Sequence, residues 1–208
     1  MRSNACWPLG EPDREIETAI DAAEAWFQAR GLPQRFKLTD GATAPQDLPQ
    51  RLARRGYADC KQTLVMIGPT LGRSDPEVIL SAAPDPSFEA VFTASAGGNL
   101  DDARERLETL ARIPAPARFA RLVVGGQPAA LGACAVEGEW AGVFGMRTTP
   151  EHRRKGLARR VLGALLAEAA VLGARRAYLQ VEASNGPAIA LYERDEFRAA
   201  YAYRYWVR

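Results

Sequence analysis

A single histidine, His152, stands in this chain of 208 residues, and lysine occurs only as Lys37, Lys61 and Lys155. One histidine excludes zinc sites built on several histidines, and a Ser-His-Asp triad has only His152 to draw on. Cysteine is equally scarce. Cys6, Cys60 and Cys134 are odd in number and widely spaced, which argues against a disulfide framework or a Cys-x-x-Cys metal clip and points to the cytoplasm. No metal is expected. No apolar run approaches the roughly 20 residues that span a bilayer, and the start shows no signal-peptide pattern, so no membrane partner is expected. Neither the phosphate-loop nor the dinucleotide-binding glycine motif occurs, leaving nucleotide hydrolysis and dinucleotide binding unsupported. A formal net charge of only +2 gives no bulk reason to expect nucleic acid. What remains, 47% hydrophobic and 25% charged residues, is the composition of a globular protein with one large or two small domains.

From about residue 75 the pattern forms one continuous set. A short strand is expected at Glu77 to Leu80, with helices at Ser87 to Ala94 and Leu100 to Arg112, stopped by Ile113-Pro114-Ala115-Pro116. Three strands follow at Phe119 to Val124, Ala130 to Val136 and Glu139 to Thr148, separated by glycine turns. Cys134 reads there as a small core residue. Next comes Arg153-Arg154-Lys155-Gly156-Leu157-Ala158, running directly into a helical pattern through Leu166. A strand at Ala177 to Val181, a helix at Ala188 to Arg194 and an aromatic strand at Tyr201 to Val207 complete the series.

The basic loop is the informative feature. A tight turn between strand and helix points backbone N–H groups outward at the positive end of a helix dipole, which suits a pyrophosphate. Gly156 lets the backbone approach an anion, and Ala158 is small enough to stay clear. Asn185 and Tyr192 follow at suggestive spacing. By itself a run such as His152 to Lys155 is more often a solvated basic patch or a nucleic-acid contact than a cofactor site. Its placement, with Asn185, Leu191-Tyr192 and the Phe197 ending, resembles the GCN5-related N-acetyltransferases (GNAT), whose acyl-CoA loop reads Arg/Gln-x-x-Gly-x-Gly/Ala. One departure is Glu196, where the family has Gly, so the turn there is expected to be distorted.

The resemblance covers about residues 75–208, which read as a complete domain, and implies an α/β (α+β) fold. Its central sheet is mixed and mainly antiparallel, flanked by helices. It implies an acetyl-CoA-dependent N-acetyltransferase acting on a small-molecule or peptidyl amine. Arg153, Arg154, Lys155, Gly156, Leu157 and Ala158 would hold the pyrophosphate. Met146, Arg147 and Thr148 would offer backbone groups to the pantetheine arm, Asn185 would bond that arm, and Tyr192 would be the general acid. The base is less defined: relatives place a carboxylate where this chain has Gly145-Met146-Arg147, leaving Glu182 or Glu139, of which Glu182 is preferred. Two other functions stay open: a non-catalytic acyl-CoA-binding regulatory module and an arginine-rich nucleic-acid binder. The near-neutral charge counts against the latter.

Residues 1–74 are expected to form a separate piece. Arg14 to Arg30 is helical, with Ile16, Ile20, Ala23 and Phe27 on one face and Gly31 at its end. A strand at Gln34 to Leu38, a helix at Asp47 to Arg55 and a strand at Gln62 to Ile67 follow. Helix, strand, helix, strand is also the order after Gly156, with Arg55-Gly56-Tyr57 falling where Asp195-Glu196-Phe197 falls. This suggests a partial, diverged repeat of the later half, without its basic loop. The competing reading is that short strings of this kind are common. Such a fragment needs its strand edges covered, either within the chain or in a homodimer.

Overall fold

Strand interiors that are small and apolar without interruption mark a strand covered on both faces, and Ala129 to Cys134 is such a run, sealed from solvent throughout. It belongs to β5 (Gln127–Glu137). The computed structural model describes residues 4–95 and 100–208, apart from the side chains of Leu100 and Asp102. The chain runs α1 (Ile16–Gln28), β1 (Arg35–Thr39), α2 (Leu48–Arg54), β2 (Ala58–Pro69), β3 (Val78–Ser81), α3 (Pro86–Ala94) and α4 (Leu100–Ala111). It continues with β4 (Ala117–Val124), β5, β6 (Trp140–Thr148), a 3-10 turn (Pro150–His152), α5 (Leu157–Val171), β7 (Arg176–Glu182), α6 (Gly186–Arg194) and β8 (Arg198–Val207). The strands are hydrogen-bonded in the order β1-β8-β2-β7-β6-β5-β4-β3. The fold is therefore the mixed, mainly antiparallel α/β sheet with flanking helices that the resemblance implies.

Two compact units divide the chain. One comprises residues 67–180 and 190–198, the other residues 1–66, 181–189 and 199–208. In the larger unit β3, β4, β5 and β6 form an antiparallel meander, and β7 joins β6 in parallel. Side chains of β5 alternate between two helical layers. Leu131 and Ala133 pack with Phe88, Val91 and Phe92 of α3 and Leu110 of α4. Gly132 and Cys134 face α5 instead, where the Cys134 thiol lies 3.8 Å from the Leu165 carbonyl. Burial outweighs the lowering effect of Arg118 and pushes that thiol up to about 11, so Cys134 is an unreactive core residue.

In the smaller unit α1 turns Ile20 and Phe27 inward, and the Glu15 carboxylate caps its first turn by accepting from the N–H groups of Glu17 and Thr18. The core gathers Ile20, Phe36, Leu38, Leu48, Leu52 and Tyr57, with Trp206 of β8 against it. β1 pairs antiparallel with β8, from Arg35 opposite Val207 to Thr39 opposite Tyr203. On its other side Cys6 makes a parallel bridge to Phe36, so both sides of β1 carry a backbone partner at that point.

Candidate active site

Two irregularities of β6 open the larger unit. The first is a bulge. Leu131 faces Arg147 and Ala133 faces Phe144, so Gly132 alone opposes Gly145 and Met146. Gly145 takes the left-handed conformation at φ +63°, which bends the strand as glycine bulges do. Gly132 leaves room for the Met146 sulfur, which would otherwise meet its Cβ. The second is a divergence. β6 and β7 pair in parallel only from Trp140 opposite Arg176 to Val143 opposite Leu179. Beyond Val143 the backbone of Phe144 to Thr148 has no partner on β7. A wedge therefore opens along Met146, Arg147 and Thr148.

The strand then runs through the 3-10 turn into the basic loop. The turn is held by Thr149, buried at 2% exposure. Its N–H donates to the Ala129 carbonyl at 2.9 Å, and its hydroxyl lies 2.9 Å from His152 Nδ1. The only histidine is thus a brace for the loop. Thr149 was not singled out from the sequence, and the Thr-Thr-Pro run before the loop is the signal that marks it. Arg154 adopts φ +61° and Gly156 φ +76°, and Gly156 is the N-cap of α5. Nothing lies within 4 Å of a Cβ built on Gly156, so its backbone conformation, not crowding by neighbours, requires glycine here.

The start of α5 has neither a capping side chain nor an acidic residue in its first turn. Arg153, Arg154 and Lys155 are exposed, and none makes an ion pair among the described residues. The next two arginines are engaged. Arg159 pairs with Asp195 at 2.9 Å, and Arg160 holds Asp75 at 2.6 Å. The guanidinium pulls the Asp75 carboxyl down to about 2. Three cations with no ion pair among the described residues thus immediately precede an uncapped helix N-terminus, a donor set that fits a diphosphate. Arg147 turns away from the loop, its guanidinium 4.0 Å from the Phe92 ring centre and its Nη1 donating to the Ser95 carbonyl at 3.4 Å.

Tyr192 of α6 is buried at 8% exposure, its ring 6.1 Å from that of Phe197. Burial pushes its phenol up to about 12, and the hydroxyl has no hydrogen-bond partner among the described residues. Asn185 and Glu182 belong to the smaller unit. Asn185 caps α6: its side-chain oxygen accepts from the Ala188 N–H at 3.3 Å, leaving its amide hydrogens as donors. Glu182 lies 3.8 Å from the Lys61 ammonium. Glu139 sits in the hairpin before β6, at the opposite end of the strand from the loop, and its carbonyl accepts from the N–H groups of Arg175 and Arg176. No group of three or more His, Cys, Asp or Glu converges as a metal site among the described residues, and no helix there is long and apolar enough to cross a membrane.

The family model described as "Probable histone acetyltransferase Rv0428c C-terminal" matches residues 1–206. The chain is 24% identical over 217 residues to the uncharacterized N-acetyltransferase YobR of Bacillus subtilis (strain 168), covering 100% of this chain and 85% of that protein. Among solved structures, a GCN5-related N-acetyltransferase from Kribbella flavida aligns with a TM-score of 0.69 at 18% identity, over 96% of this chain and 78% of that one. A tandem GNAT protein from the clavulanic acid biosynthesis pathway aligns with a TM-score of 0.66 at 14% identity, over 94% and 70%. At those identities the solved structures speak for the fold. The family match runs through both units, and on that ground this chain belongs to the GNAT-type acetyltransferases and is an N-acetyltransferase.

Proposed function

We propose that the chain transfers an acetyl group from acetyl-CoA to a primary amine of a small molecule or peptide, in the cytoplasm, with the wedge beside β6 receiving the donor. The observation that carries this is the uncapped start of α5 immediately after three cations with no ion pair among the described residues. The N–H groups of that first turn, with Arg153, Arg154 and Lys155, hold the pyrophosphate. Met146, Arg147 and Thr148 offer main-chain groups from the strand stretch that has left β7. An N–H among them is placed to hydrogen-bond the reacting carbonyl oxygen as charge develops on it. The Asn185 amide is a further donor for the pantetheine arm. Tyr192 gives its proton to the departing thiolate. Burial holds the phenol protonated well past neutral pH, so the donor is in its proton-carrying form when the thiolate leaves. Glu182 accepts the amine proton through water. Gly156→Glu is the test: a carboxylate at the helix start repels a diphosphate, so calorimetry should find acetyl-CoA binding lost in a folded variant. Unchanged affinity would remove the loop from the site.

We further infer that residues 1–74 carry a diverged half-copy of the later domain, with residues 75–208 the catalytic part. Three correspondences support it. The turns after α2 and α6 share one hydrogen bond, from the Tyr57 N–H to the Leu52 carbonyl and from the Phe197 N–H to the Tyr192 carbonyl, each 3.0 Å. α1 and α5 end alike, with Leu32 donating to Phe27 and Ala174 donating to Ala169 across left-handed Gly31 and Gly173. An ion pair recurs with its signs exchanged: Arg55 meets Glu17 at 2.7 Å, and Asp195 meets Arg159 at 2.9 Å.

A further inference from the structure

The smaller unit contains its own divergence of parallel segments. At the Cys6 bridge the Cys6 N–H donates to the Arg35 carbonyl at 2.8 Å, and the Lys37 N–H donates to the Cys6 carbonyl at 2.7 Å. Past that bridge the segments part, as β6 and β7 do past Val143. A cavity of about 320 Å³ lies there, with Trp7, Leu9 and Tyr201 as apolar walls and Thr39 to Ala42 as its floor. Its size falls within the range of small-ligand pockets.

The walls are exposed, and Trp7 is held in place. Trp7 is 46% exposed, Leu9 52% and Tyr201 39%. The Trp7 indole N–H donates to the Thr39 hydroxyl at 2.9 Å, and the Lys37 ammonium lies 3.8 Å from the ring centre. The Asp40 main-chain N–H is tied to the Ala202 carbonyl at 2.9 Å, while its carboxylate, which accepts from the Gln62 amide at 3.5 Å, stays exposed on the cavity floor. The Lys37 ammonium lies over the Trp7 and Tyr203 rings, and the exposed Asp40 carboxylate repels negative charge. Lys37 also makes Trp7 a poor partner for a second cation. Trp7 and Leu9 are then left to cover an apolar body, with Asp40 taking a positive group.

We propose that this cavity is a second small-molecule site, taking a protonated amine that carries an apolar, preferably aromatic, body. The ammonium pairs with Asp40, and the body stacks between Trp7 and Tyr201. The test titrates the full chain with phenethylamine by calorimetry, using 2-phenylethanol and phenylacetate as controls. Saturable phenethylamine binding is expected. Asp40→Asn and Trp7→Ala should each weaken it about tenfold or more, a change of about 1.4 kcal/mol, while acetyl-CoA affinity and cooperative unfolding are unchanged. The alcohol should bind more weakly and phenylacetate not at all. Gly156→Glu should leave phenethylamine binding intact, so failure of the donor-loop assignment and failure of this one appear in different variants. Absence of saturable binding, equal affinity in Asp40→Asn or Trp7→Ala, or phenylacetate binding as tightly as the amine would each overturn the assignment.

Discussion

At Glu196 a non-glycine residue sits at φ +65°, the conformation that Gly56 takes after α2. The sequence predicts a distorted turn here, and the structure shows an intact one: the bond from the Phe197 N–H to the Tyr192 carbonyl is 3.0 Å. The burial of Phe197, fully sealed at 0% exposure, holds the backbone there. The left-handed state costs an L-residue roughly 1–2 kcal/mol, and glycine returns about half of that as unfolded-chain entropy. Glu196→Gly should therefore raise stability by about 0.5–1 kcal/mol, read as a higher urea midpoint with an unchanged slope. Tyr192, four residues earlier, is expected to behave differently. Its hydroxyl makes no protein hydrogen bond among the described residues, so Tyr192→Phe should leave stability and acetyl-CoA affinity nearly unchanged. Loss of a proton donor should still lower kcat by about 10²-fold or more. A kcat equal to wild type on a good acceptor would make Tyr192 a packing residue.

Among elements, the reversed ion pairs allow a direct comparison. Arg55 closes α2 onto α1 through Glu17 and Asp21, with its side chain only 22% exposed. Arg159 makes one pair, to Asp195, and is 58% exposed. Charge-assisted bonds in a shielded network outweigh an exposed single pair. Arg55→Ala should therefore lower stability more than Arg159→Ala, compared by chemical denaturation. These elements were legible in the sequence because punctuation bounds them: Gly31 ends α1, Pro114 and Pro116 stop α4, and Gly125-Gly126 and Gly138 turn the meander. Strand ends were harder. β2 begins at Ala58, where Asp59 and Lys61 face solvent and mask the pattern. β8 begins at Arg198 behind exposed Ala199 and Ala200. The loop was readable because its chemistry is contiguous. The wedge beside it, the bulge opposite Gly132, the bridge at Cys6 and the partners of Arg160 were not, since each depends on a distant strand or helix.

At the scale of the whole molecule, the smaller unit draws residues 181–189 and 199–208 as well as 1–66, so neither unit is a contiguous stretch of sequence. Pairing of β1 with β8 is a long-range contact that no local pattern encodes. Each unit also buries one tyrosine whose phenol is displaced upward. Tyr57 is pushed up to about 12 by burial and by the carboxylate of Glu24, to which its hydroxyl donates at 3.1 Å. Tyr192 reaches about 12 through burial alone. In the unfolded chain both ionise near pH 10. Between about pH 10 and about pH 12 the unfolded state therefore releases protons that the folded state retains, and stability falls as pH rises. Cys134, displaced to about 11, adds a loss of the same sign starting near pH 8.5. Urea midpoints measured from about pH 8 to about pH 12 should stay level at first and then decline, most steeply above pH 10. Tyr57→Phe should flatten the decline for unfolding of the smaller unit, and Tyr192→Phe for the larger. A midpoint that holds level to pH 12, or a decline that neither substitution changes, would mean that these phenols ionise as freely in the fold as out of it.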